Sequence, residues 1–287
     1  MKNLKHFIYR ARHWVSKPRV VRSSKPVILS DEDRCKNPIF LIGVHRSGTS
    51  LLRRIFNSHK NIACPPETVY LSYFARMLDD QGVVDGLSGF GYEGKELDYQ
   101  IGIWASRFHE AYRIAEGKRR WADKTPQYTE ILPALERMYG QGCNYVMLFR
   151  NPLDILYSMT KREWRFGAYH EDLLVNNAMY IREAIGRMKD FIDEHQERCS
   201  VLCYEKLVVD PDGELRRVFT EVGEDWDPGV LEFNKKSHGY GLEDPIVAGT
   251  RKFHKNFGNW KGFKEDEIQK VMPILRNLLQ WYDGFLS

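Results

Sequence analysis

Eight consecutive residues, Gly43-Val44-His45-Arg46-Ser47-Gly48-Thr49-Ser50, bring together the ingredients of an anion-binding loop. Two glycines enclose four residues in the GxxxxG frame of a phosphate-cradling turn. The apolar run Pro38-Ile39-Phe40-Leu41-Ile42 precedes it as a buried parallel strand. Thr49 to Ser58 follows as a helix with Leu51, Leu52, Ile55 and Phe56 on one face. In that setting the backbone N–H groups of the turn and of the helix N-terminus point at one anion, and the hydroxyls of Ser47, Thr49 and Ser50 add donors. A nucleotide-hydrolysing loop continues with Lys and then Ser or Thr after its second glycine. Here Thr49 stands in the lysine position and the cation, Arg46, lies inside the loop. No acidic residue at a strand end offers a magnesium ligand. The loop therefore predicts a phosphate-like ligand other than Mg-ATP, and no metal. An ordinary βα turn rich in small residues is the competing reading, and it leaves the arginine and three hydroxyls unexplained.

A second anion grip lies about a hundred residues on. Asn144-Tyr145-Val146-Met147-Leu148-Phe149 reads as another buried strand, followed from Pro152 to about Trp164 by a helix with its proline in the first turn. Arg150 ends the strand and Ser158 lies two turns into the helix, so both can meet one anion at the carboxyl end of a parallel sheet.

These segments carry a family resemblance. Ile42 to Ile62, IGVHRSGTSLLRRIFNSHKNI, resembles the 5′-phosphosulfate loop of sulfotransferases that use 3′-phosphoadenosine 5′-phosphosulfate (PAPS). Its Arg-Ser-Gly-Thr form is closer to the carbohydrate and tyrosylprotein enzymes than to the cytosolic small-molecule type. Leu148 to Met159, LFRNPLDILYSM, resembles the motif that grips the 3′-phosphate, with Arg150 and Ser158 at the matching places and Asn151 where Asp is commoner. Tyr204-Glu205-Lys206-Leu207 is similar to the family's Tyr-Glu-Asp-Leu, which implies that Tyr204 lies against the adenine; taken alone, Tyr204 reads as core. Arg251 to Phe263, RKFHKNFGNWKGF, resembles the loop that closes over the 3′-phosphate, two residues longer than the cytosolic pattern, so that Arg251, Lys252 and Lys255 are all candidates for the contact.

The resemblance also implies the acid–base groups. Glu67, in Pro65-Pro66-Glu67-Thr68, matches a glutamate that acts as general base, against the alternative of a helix-capping or surface carboxylate. Lys124, in Asp123-Lys124-Thr125-Pro126, matches a lysine that reaches the bridging oxygen of the leaving phosphate, against the alternative of a solvated lysine. Arg46 would offset charge on the same groups. His45 is expected to shape the loop, and His109 and His170 to be structural or to reach the acceptor. Tyr70, Tyr73 and Phe74 are candidates to line the acceptor pocket. The expected activity is transfer of a sulfuryl group from PAPS to an acceptor hydroxyl on a carbohydrate, tyrosyl residue, lipid or small metabolite. A P-loop kinase and a non-catalytic nucleotide-binding module are the alternatives.

The elements that must position these groups form an α/β fold, a single P-loop-like domain over residues 38–287 with a mostly parallel sheet and helices on both faces. A third strand, Ser200 to Tyr204, precedes a helix from Asp212 to Val222. A long helix runs from Asp172 to Gln196, and a C-terminal one from Val271 to Tyr282. Trp104, Phe108 and Tyr112 recur at helical spacing and read as core. Gly82 to Gly94, with five glycines, reads as an exposed loop. Residues 1–37 form a basic segment and linker. The first 30 residues hold eight Lys or Arg and no acid; without them 35 basic side chains face 39 acidic ones, which excludes nucleic-acid binding by composition. Five cysteines without metal-ligand spacing fit a reducing compartment, and no signal peptide is legible, so the expected location is cytoplasmic. Leu4, Phe7, Ile8, Ala11, Trp14 and Val15 give the tail an apolar stripe suited to an anionic membrane surface or to docking on the body, and its Arg-rich, acid-poor composition also fits a transit peptide. If the stripe binds membrane, deleting residues 1–22 abolishes co-sedimentation with anionic vesicles and leaves turnover of a soluble acceptor intact; retained co-sedimentation refutes the membrane expectation.

Overall fold

The computed structural model describes residues 34–236, 238 and 252–286, so the basic segment 1–22 and most of its linker lie outside the described residues. Among the described residues five parallel strands lie in one sheet: β1 (Ile39–Ile42), β2 (Ile62–Ala63), β3 (Arg120–Asp123), β4 (Asn144–Phe149) and β5 (Cys199–Cys203). Their order is β2-β3-β1-β4-β5, and β1 sits centrally, pairing Ile39 with both Ala122 and Asn144. All four β1 residues have no exposed surface. A strand covered on both faces has no polar side, which is why it reads as an unbroken apolar run.

The period-two alternation of each strand feeds two cores. Ile39, Leu41, Val146, Leu148 and Leu202 face one side. There they meet α1 (Thr49–Ser58), α8 (Tyr204–Val209) and α9 (Pro211–Glu221). Phe40, Ile42, Trp121, Tyr145, Met147 and Phe149 face the other. Covering them are α2 (Leu71–Asp79), α3 (Gln81–Ser88), α4 (Gly94–Ala115), α5 (Leu132–Tyr139), α6 (Pro152–Thr160), α7 (Leu173–Glu194) and α10 (Glu265–Leu286). Among the described residues no helix is long and apolar enough to cross a membrane.

Several boundaries differ from the sequence expectation. Gln81–Ser88 is helical rather than loop, because Asp80 caps it by accepting from the Val83 N–H at 3.2 Å; none of its residues is buried. Trp104 and Phe108 are 56% and 70% exposed, not core: the buried face of α4 runs through Leu97, Ile101, Ala105 and His109, and their spacing falls beside it. The helix after Pro152 stops at Thr160, where the chain turns through Glu163 in left-handed backbone. The C-terminal helix starts at Glu265, six residues early, behind an acidic first turn that suits the helix dipole. Strand β3 escaped the sequence reading because charged Arg120 and Asp123 bound it. Arg120 is nonetheless buried and donates to Glu224, Asn144 and the carbonyls of Asn37 and Val222.

Phe40 packs edge-on against Trp121 and Tyr139, at 5.7 and 5.0 Å between centroids. Phe40→Ala is therefore expected to cost about 3–5 kcal/mol in urea unfolding, whereas exposed Phe108→Ala changes stability by about 0.5 kcal/mol or less.

Candidate active site

The phosphate loop joins β1 to α1. The Ser47 N–H donates to the Val44 carbonyl at 3.0 Å, and Arg46 (φ 72°) and Gly48 (φ 99°) both take left-handed backbone. Such alternation turns successive amides toward one concave point and makes an anion-binding nest. Space is limited there: a Cβ on Gly48 would lie 2.5 Å from the Tyr204 ring. The Ser47 hydroxyl is buried with no partner among the described residues, a polar atom that a bound anion would satisfy. His45 braces the loop, with Nδ1 2.8 Å from the Tyr180 hydroxyl and its ring stacked on Phe166. Burial, and then the charges of Lys124 and Arg46, push its pKa down to about 3, so the loop's charge is carried by Arg46.

Arg150 emerges from the end of β4 and is 5% exposed. Its Nη1 donates to the Arg46 carbonyl at 2.8 Å and its Nη2 to the Asn256 carbonyl at 2.5 Å, while the guanidinium lies 4.6 Å over the Tyr204 ring. Its Nε is buried with no partner among the described residues. Ser158 Oγ, on α6, accepts from Arg46 Nε at 3.0 Å, and the Arg46 guanidinium lies over Trp164. Arg46, Arg150, Ser158 and Tyr204 thus converge at one end of the loop. The Arg46 side chain is thus held by the Ser158 hydroxyl and the indole face of Trp164. Asn151 caps α6 by accepting from the N–H groups of Leu153 and Asp154, at 2.9 and 3.3 Å, as an aspartate would.

At the other end Lys124, just past β3, has no exposed surface. Its Nζ donates to Glu67 Oε1 and, at 3.4 Å, to Ser50 Oγ. Three segments, at residues 50, 67 and 124, meet here. Lys124 is not solvated, and Glu67 does not cap α2, whose N-cap is Tyr70. Thr49 is buried in the first turn of α1.

Other expected residues stand apart. Lys252 and Lys255 are exposed, and Arg251 lies outside the described residues. His170 accepts from the Asp172 N–H on the surface. Tyr73 is 57% exposed. His109 is buried against Trp121 and meets the Tyr70 hydroxyl.

Three carboxylates escaped the sequence reading. Asp123 is the acidic strand-end residue the sequence did not offer; its oxygens accept from the hydroxyls of Thr68 and Thr125, and His109 Nε2 lies 2.9 Å from Oδ2. Asp154 accepts from the N–H groups of Gly258 and Trp260, at 2.7 and 3.0 Å, and draws that stretch over α6. Glu205 accepts from the Asn151 N–H at 3.0 Å and from the hydroxyl of Tyr282, tying the turn after β4 to the turn after β5. All three lie inside motifs that the sequence displays, Asp123 before Lys124, Asp154 after Pro152 and Glu205 after Tyr204, but nothing in those motifs tells which partners they take.

Comparison with known proteins fits this geometry. The model of the sulfotransferase family matches residues 38–228. Nodulation protein NoeE of Sinorhizobium fredii is 28% identical over 220 residues, covering 68% of this chain and only about half, 51%, of NoeE. Among solved structures, the sulfotransferase domain of the Synechococcus PCC 7002 olefin synthase superposes with a TM-score of 0.60 at 20% identity, over 83% of this chain and 95% of that one. Mouse sulfotransferase SULT7A1 complexed with PAP does so at 0.51 and 16% identity, over 85% and 86%. A nest that ends β1, an arginine that ends β4 and a family match running through both carry one conclusion: this chain belongs to the sulfotransferase family.

Proposed function

We propose that this chain transfers the sulfuryl group of PAPS to an acceptor hydroxyl, releasing adenosine 3′,5′-bisphosphate. The observation that carries the reading is the division of the loop's surroundings into two poles. Arg46, Arg150 and Ser158 form one, and Glu67, Lys124 and Ser50 the other. A cofactor with separate anionic groups on the 3′- and 5′-oxygens of its ribose needs two such poles. The buried Ser47 Oγ and Arg150 Nε, with no partner among the described residues, fit two anions.

In this reading the loop amides with Ser47, Gly48, Thr49 and Ser50 hold the 5′ end, and Arg150 with Ser158 holds the 3′-phosphate. Tyr204 lies beside the adenine, and Arg251, Lys252 and Lys255 are the candidates for a further contact to the 3′-phosphate. Bound PAPS supplies an electrophilic sulfur and a phosphate leaving group. Glu67 accepts the proton of the acceptor hydroxyl as its oxygen bonds to sulfur. Lys124 has three N–H donors; two go to Glu67 and Ser50, and the third suits a leaving phosphate oxygen. Arg46 neutralises the loop.

Acceptors are sought with radiolabelled PAPS against tyrosyl peptides, oligosaccharides, lipids and small alcohols. Adenosine 3′,5′-bisphosphate is expected to raise Tm in the presence of EDTA, because each charge-assisted bond to the 3′-phosphate contributes about 1.5–3 kcal/mol. AMP is expected to raise it little, and Arg150→Ala to erase the difference. Greater stabilisation by ATP with Mg²⁺ would replace the proposal with a kinase. Glu67→Gln is expected to lower turnover by about 10²–10⁴-fold at unchanged bisphosphate affinity; near-wild-type turnover removes Glu67 from the mechanism.

A further inference from the structure

The two proposed acid–base residues sit on separate short loops, and one carboxylate holds both. Asp123, at the end of β3, has no exposed surface. Its Oδ2 accepts from Thr68 Oγ1 at 2.8 Å, and its Oδ1 from Thr125 Oγ1 at 2.9 Å. Thr68 directly follows Glu67, and Thr125 directly follows Lys124. The Thr68 N–H also donates to Thr125 Oγ1 at 3.2 Å, so the two loops are stitched to each other as well as to the carboxylate.

Buried groups brace the carboxylate from behind. His109 Nε2, on α4, lies 2.9 Å from Asp123 Oδ2, and His109 Nδ1 lies 2.5 Å from the Tyr70 hydroxyl. That hydroxyl also donates to the Ala105 carbonyl at 2.6 Å. The Tyr128 hydroxyl is 2.9 Å from Thr68 Oγ1 and accepts from the Leu71 N–H.

Fold stability does not explain this cluster, because a carboxylate sealed from water costs free energy that an apolar side chain of similar size avoids. What the cluster achieves is register. The residue next to each member of the Glu67–Lys124 pair is fixed to a common point inside the protein. We infer that Asp123 is a positioning residue for sulfuryl transfer, holding Glu67 and Lys124 in contact through the threonine that follows each. The inference rests on the roles proposed above for Glu67 and Lys124.

The hydroxyls are the place to test it, since removing Asp123 outright leaves several buried donors unpaired and endangers folding. Thr68→Val and Thr125→Val keep shape and delete one hydroxyl each, whereas Thr68→Ser and Thr125→Ser retain it. Using radiolabelled PAPS and a tyrosyl peptide, each valine variant is expected to lose about 10–100-fold in kcat, since small misplacement of reacting groups has effects of that size. The KM for PAPS and the Tm shift given by adenosine 3′,5′-bisphosphate stay unchanged, and each serine variant recovers wild-type kcat. Crystal structures read the same point without turnover, with the Glu67–Lys124 contact opened in the valine variants and closed in the serine ones. A valine variant with wild-type kcat and a closed pair overturns the inference, as does a loss that serine fails to restore. Failure of the transfer reading looks different: the wild type itself then neither transfers sulfate nor responds to the bisphosphate, while the crystal structures still report on the pair.

Discussion

Charge removed from water must be matched inside the protein or it destabilises the fold, and the carboxyl edge of this sheet is organised by that constraint. Lys124 has no exposed surface and Arg150 very little. Each of these cations is held by atoms from distant segments: Glu67 and Ser50 in one case, the carbonyls of Arg46 and Asn256 in the other. Because the partners come from different loops, satisfying the cations also assembles the loops. The phosphate loop between them is therefore pinned from both sides by groups that would be costly to leave unmatched.

The same logic reaches the C-terminal part of the chain. Arg150 takes the Asn256 carbonyl, Asp154 takes the amides of Gly258 and Trp260, and Glu205 takes the hydroxyl of Tyr282 on α10. A Cβ on Gly262 would lie 2.5 Å from the Tyr157 hydroxyl, so close packing against α6 continues along this stretch. Residues well beyond the sequence covered by the family model thus contribute partners to the β4–α6 turn that carries Arg150.

The sequence revealed what depends on local pattern. The β1–loop–α1 and β4–α6 units announce themselves through apolar runs, glycine spacing and proline placement, and they carry Arg46, Arg150 and Ser158. Tyr204 and Lys124 came only from resemblance, since an aromatic at a strand end and a lysine before proline have many structural uses. What stayed hidden depends on tertiary pairing. Arg120 and Asp123 look like loop residues until their partners are folded onto them, from 24 to 104 residues away for Arg120 and from 2 to 55 for Asp123. The surface placement of Trp104 and Phe108 was likewise illegible, because helical periodicity gives the spacing of a face but not which face meets the core.

The left-handed backbone at Arg46 has a consequence for which sequences can build this loop. At φ 72° a residue with a branched Cβ is disfavoured, and proline is excluded by its ring. The side chain must also reach Ser158 and offer a donor there. Steric and chemical demands therefore act on one position together. Glycine or asparagine would relax the backbone but give up the cation, and threonine or valine would give up both. A long, unbranched side chain with an N–H donor meets the two demands, so the alphabet available here narrows to arginine, lysine and glutamine, and the loop's positive charge then leaves the first two.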